Sequence, residues 1–126
     1  MSEILRLRDP AARLAALRAS DHPQAQFLWA LHRDLFHYCA YHLGDIADGA
    51  RQLDFAIRWG YGWKLGPFEL WQAAGWRQVS EWIREDIAAG KALCNAPLCF
   101  SANLSPQIKW WRKPTPSACG PSMMRC

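Results

Sequence analysis

One stretch decides the fold: RWGYGWKLGPFELWQAAGW, residues 58–76. Its nineteen positions hold four glycines and four tryptophans. Such a run can be a glycine loop that cradles phosphate, an aromatic ligand box, or a junction between packed helices. Gly60-x-Gly62-x-x-x-Gly66 is superficially like a dinucleotide fingerprint. That motif needs a strand before it, so that a tight turn can aim a helix N-terminus at the pyrophosphate. The preceding ARQLDFAIRW, residues 50–59, has helical spacing instead, and Tyr61 and Trp63 fill the gaps with bulk. The stretch reads as a helix–loop–helix junction whose glycines permit positive φ and close helix approach.

Working outward, GPFELWQAA at 66–74 starts a helix: Gly66 can be its N-cap, Pro67 fits the first turn, and Glu69 faces the positive helix end. Gly75 interrupts it. WRQVSEWIREDIAAG at 76–90 is amphipathic, with Val79, Trp82, Ile83 and Ile87 facing in and an Arg77–Glu81 pair outside. In 50–59, Leu53, Ala56 and Ile57 form the inner face, Arg51, Asp54 and Arg58 point outward, and Gly60 and Gly62 end the helix. Upstream, residues 23–48 form the longest helix. Leu28, Leu31, Leu35, Cys39, His42 and Ile46 recur at steps of three and four and mark its inner stripe, widened by Phe27, Phe36 and Tyr38. PAARLAALRA at 10–19 is a further helix, with Asp9 as N-cap and Pro10 in its first turn. No strand pattern appears, so the expected class is all-α.

The 126 residues suit one small multi-helix domain, and a hydrophobic content of 51% excludes a wholly disordered chain. No apolar run reaches the roughly 18 residues of a membrane span, so no membrane partner is expected. MSEILRLRDP has no apolar signal-peptide core, which makes the expected compartment cytoplasmic. The net charge of +4 is unevenly placed. All eleven acids lie at or before Asp86, and the surplus is Lys109, Arg112, Lys113 and Arg125. A neutral body with a basic appendix gives little support to nucleic-acid binding, which is not expected. Residues 99–126 are rich in proline, cysteine and tryptophan, lack acids and have no usable period; they read as an irregular basic tail. The five cysteines show no CxxC or paired zinc spacing and read as reduced thiols.

Candidate chemistry is sparse. His32, His37 and His42 are five apart, so each step turns about 140° and no i,i+4 metal pair forms. Cys39 has no neighbouring base, and Ser80 lacks a nucleophile-elbow context. Trp82 falls on an inner face with Trp76 at the helix junction. Trp59 and Trp63 flank the glycine loop and, with Trp71, are the candidates for a ligand wall or a subunit contact. No catalytic, cofactor-binding or metal residue is assigned.

Residues 51–76, RQLDFAIRWGYGWKLGPFELWQAAGW, resemble the C-terminal domain of the 3-hydroxyacyl-CoA dehydrogenase family. The likeness lies in Asp54, Arg58, Gly60 and Gly62, and above all in Gly66-Pro67-Phe68-Glu69-Leu70 followed by Gly75. The flanks extend it over about residues 5–98, in the style of large bacterial β-oxidation proteins that fuse the dehydrogenase to an enoyl-CoA hydratase. The resemblance implies an all-α domain that packs on a Rossmann NAD-binding domain, helps shape the acyl-CoA cleft and supports self-association or repeat pairing. It implies backbone-geometry roles for Gly60, Gly62 and Gly66, a helix start at Pro67 and Glu69, and packing by Phe68 and Trp71. The family reaction is NAD-dependent oxidation of 3-hydroxyacyl-CoA, and its histidine–glutamate pair belongs to the other domain. The expectation is a domain or fragment of such an enzyme, inactive alone and with no cofactor in this chain. The alternative is a stand-alone acyl-CoA-binding or dimerisation module, and a polyanion binder acting through 109–113 is the third reading. The abrupt change after Leu98 suggests translation of 99–126 in a shifted frame.

Overall fold

The computed structural model describes residues 1–94 as an all-α structure, with six helices and no strand among the described residues. They are α1 (Ser2–Arg6), α2 (Pro10–Ala19), α3 (Pro23–Ile46), α4 (Ala50–Tyr61), α5 (Pro67–Ala73) and α6 (Trp76–Ala88). The expected helices are present; α1 is an addition. The tail at 99–126 and its reading frame lie outside the described residues.

Local chemistry sets the helix starts. The Asp9 carboxylate accepts the Ala12 N–H at 3.0 Å and Pro10 occupies the first turn of α2. His22 Nδ1 accepts the Gln24 N–H at 3.2 Å ahead of Pro23 in α3. Between α4 and α5, Gly62 takes φ +69°, the left-handed conformation that closes a helix without a Cβ penalty. Between α5 and α6, Gly75 takes φ +86° and redirects the chain within a single residue.

The core lies between α2, α3, α5 and α6. Leu14 and Leu17 meet Trp29, Phe36 and Leu43, while Phe68, Trp71, Val79 and Ile83 close the other side. Phe36 stacks on Trp71 at 5.3 Å between centroids, and Trp29 meets Trp82 edge-on at 5.8 Å. Val79 and Ile83 of α6 are buried as expected, with Trp82 and Ile87 packed beside them.

Three expectations are corrected. The buried face of α3 is Ala25, Trp29, Phe36, Cys39 and Leu43. The stripe read from sequence is rotated from it by roughly 90° at 100° per residue, so Phe27, Leu31, Tyr38 and Ile46 are exposed. The helix has two apolar faces, and periodicity cannot say which one finds a partner. In α4, Asp54 points inward and is 2% exposed, whereas Ala56 is exposed. Glu81 pairs with Arg84 rather than Arg77, whose guanidinium lies over Trp76. Cys39 is a free buried thiol; Cys94 is disulfide-bonded, a departure from five reduced thiols.

Candidate functional site

The residues that carry the family resemblance converge on the junction of α4 and α5. A helix N-terminus leaves backbone N–H groups without partners. Gly66, the N-cap of α5, has no side chain to accept them. The Asp54 carboxylate supplies the missing cap from α4: Oδ1 accepts the Phe68 N–H at 2.8 Å and Oδ2 the Glu69 N–H at 3.1 Å. Glu69 Oε2 reaches back to accept the Gly66 N–H at 2.8 Å. Pro67 has no N–H to satisfy. Every donor of the first turn is thus either paired or absent.

The same geometry explains Gly66. A Cβ built there would stand 2.4 Å from Asp54 Cβ and Oδ1 and 2.5 Å from Asp54 Cα. Only glycine lets α5 begin this close to the α4 backbone. Arg58, one turn after Asp54, donates to Glu69 Oε1 at 3.1 Å and completes a lock of two acids and one cation. Burial pushes the Asp54 carboxyl up, to about 6, with the negative charge of Glu69 adding to it. The two backbone N–H groups and Arg58 work in the opposite direction. Burial also raises the nearby Cys39 thiol to about 11, which keeps it protonated and unreactive.

The other motif positions have separate roles. Gly60 lies in the last turn of α4, where an added Cβ meets open space. Gly62 and Gly75 are the positive-φ residues. Pro67 and Phe68 are buried, and Leu70 packs against the core. The candidate tryptophans divide. Trp71 is 3% exposed, stacks between Phe36 and Phe68 and donates its Nε1–H to the Trp76 carbonyl at 3.2 Å; it is a core residue, away from any surface wall. Trp59 is 81% exposed and stacks on Phe55 at 5.3 Å, with Arg51 over the same ring. Tyr61 and Trp63 lie beside each other at 6.1 Å, both exposed. Phe55, Trp59, Tyr61 and Trp63 thus form an aromatic knuckle at the end of α4.

Sequence reasoning missed a second polar centre. Arg33 of α3 donates to Asp86 Oδ2 of α6 at 3.1 Å and to Asp34 at 2.9 and 3.0 Å. Trp29 Nε1–H also donates to Asp86 Oδ2, at 2.8 Å. Burial opposes the Arg33 charge, but the bonds to Asp34 and Asp86 outweigh it and hold its pKa above the ordinary value. No local spacing reveals this partnership. His32 is held by a contact of Nδ1 with the Leu28 carbonyl, and burial lowers its pKa. Among the described residues no group of three or more His, Cys, Asp or Glu could hold a metal ion, and no helix is long and apolar enough to cross a membrane.

Comparison with known proteins agrees with the motif. The chain is 38% identical over 90 residues to a protein of Bacillus subtilis (strain 168) named "Probable 3-hydroxyacyl-CoA dehydrogenase". The alignment takes in 63% of this chain and 11% of that relative, so the chain spans a small part of the relative's length. No family model matches, and no solved structure matches. The chain is therefore similar to one segment of a 3-hydroxyacyl-CoA dehydrogenase, and within it the family-like residues build the α4–α5 lock.

Proposed function

We propose that this chain is a helical domain of an NAD-dependent 3-hydroxyacyl-CoA dehydrogenase of fatty-acid β-oxidation, one that shapes the acyl-CoA cleft and packs domains together rather than performing the chemistry. The relation to the curated dehydrogenase carries the reading. The described residues agree with a supporting role. Their conserved-looking chemistry is spent on fixing two helices: Asp54 and Glu69 are engaged by backbone N–H groups and Arg58. The thiol that could attack a substrate is buried and protonated. What the junction offers outward is the aromatic knuckle, held at a set angle by the lock beneath it. Trp59, Tyr61 and Trp63 are suited to cover apolar surface on an adjoining NAD-binding domain or the acyl chain at the seam.

A complementation assay tests this. The full chain alone is expected to show no NADH-dependent reduction of acetoacetyl-CoA. Mixed with a separately produced Rossmann domain of a bacterial relative, it is expected to raise that domain's turnover, and Trp59→Ala with Trp63→Ala to weaken the effect at least ~10-fold. Turnover by the chain alone would refute the division of labour, and absence of any complex would refute the packing role. The exposed tryptophans also suit the stand-alone acyl-CoA-binding reading, in which acyl-CoA quenches their fluorescence without any added domain.

A further inference from the structure

The second apolar face of α3 has no role in the lock or the core. Its exposed members are Phe27, Leu31, Tyr38 and Ile46, each more than half exposed, with Leu35 and His42 partly buried between them. The order 27, 31, 35, 38, 42, 46 has steps of four, four, three, four and four, which read the same in both directions. The ionised residues of the helix are few: Arg33, Asp34 and Asp45. Arg33 and Asp34 are bonded to each other, and Arg33 also to Asp86, so the middle of the stripe carries no uncompensated charge. A solvated helix face would carry Lys or Glu at these positions.

We infer that this face pairs with a second copy of the chain, α3 against α3 in antiparallel orientation about a two-fold axis. The palindromic spacing is what an isologous contact requires, since each residue must find a partner in the same stripe run backwards. Phe27 meets Ile46, Leu31 meets His42, and Leu35 meets Tyr38 at the axis. The four exposed side chains offer roughly 400–500 Å² per copy, so that with the flanking residues the pair approaches the ~1,000 Å² of a stable interface. The inference deepens the packing role proposed above and rests on that half of it, not on the dehydrogenase chemistry.

Sedimentation of the full chain, without NAD or acyl-CoA, tests it. A dimer is expected at ~10 µM, loosened at least ~100-fold by Leu31→Asp or Tyr38→Asp, with helical circular dichroism unchanged because both positions are exposed. The double variant L31C/H42C is expected to form a covalent dimer on mild oxidation. L31C alone is not, since its two copies would lie ~16 Å apart along the axis, beyond disulfide reach. A monomer up to ~100 µM overturns the inference. So does a dimer indifferent to L31D and Y38D but broken by Trp59→Ala, which would move the contact to the knuckle and leave the proposed function standing.

Discussion

Two buried carboxylates, Asp54 and Asp86, hold this protein together by different means. Asp86 sits between α6 and α3 and meets a guanidinium and an indole N–H. Asp54 sits between α4 and α5 and meets backbone N–H groups, with its nearest cation, Arg58, bonded to Glu69 instead. The first is a charge neutralised by a charge. The second is a charge solvated by the end of a helix. Burial therefore weighs more heavily on Asp54, whose carboxyl rises to about 6. A buried acid is informative only once its partners are known.

The largest expected effect tests the ion-paired centre. Asp86→Ala leaves Arg33 buried with only Asp34 and strips the Trp29 N–H of its acceptor. It should cost about 3–5 kcal/mol in urea unfolding. A loss under ~1 kcal/mol would mean that Asp34 alone suffices and the two centres differ less than their geometry says. Next comes Gly66→Ala, which drives a Cβ into the α4 backbone. About 3 kcal/mol is expected, near the top of the usual overpacking range. An unchanged midpoint would show that α5 can start elsewhere and would dissolve the lock.

The smallest effect is the pH dependence of the Asp54 centre. Its carboxyl rises from 3.8 unfolded to about 6 folded. Between these values the native state binds more protons than the unfolded chain, so stability falls as pH rises from about 4 to about 6. Above 6 the contribution is flat. A two-unit shift is worth at most ~3 kcal/mol. Asp54→Asn, which cannot titrate, should remove this slope. Thermal melts of both proteins across the window read the difference. A wild-type curve that rises from pH 4 to 6 would mean that the helix N–H groups and Arg58 outweigh burial, making Asp54 resemble an ordinary capped carboxylate.

Much of the fold was legible locally. Asp9, Pro10, Pro23, Gly66 and Pro67 mark helix starts because capping and the missing proline N–H act within one turn. Gly62 and Gly75 mark breaks because left-handed backbone carries a penalty in any residue with a Cβ. The candidate site was legible only as a pattern: Asp54 and Gly66 appear together in the family-like motif, but nothing in their spacing shows that the carboxylate caps the helix that the glycine begins.

What the sequence determined by itself was the set of helices, their ends and the kinship of the motif. Tertiary structure alone decided which apolar face of α3 is buried, that Asp54 turns inward while Trp59 stays outside, and that Arg33 finds Asp86. The physical reason is range. Caps, breaks and periodicity are settled by neighbours within one turn, whereas burial and ion pairing depend on which surfaces the other helices bring into contact.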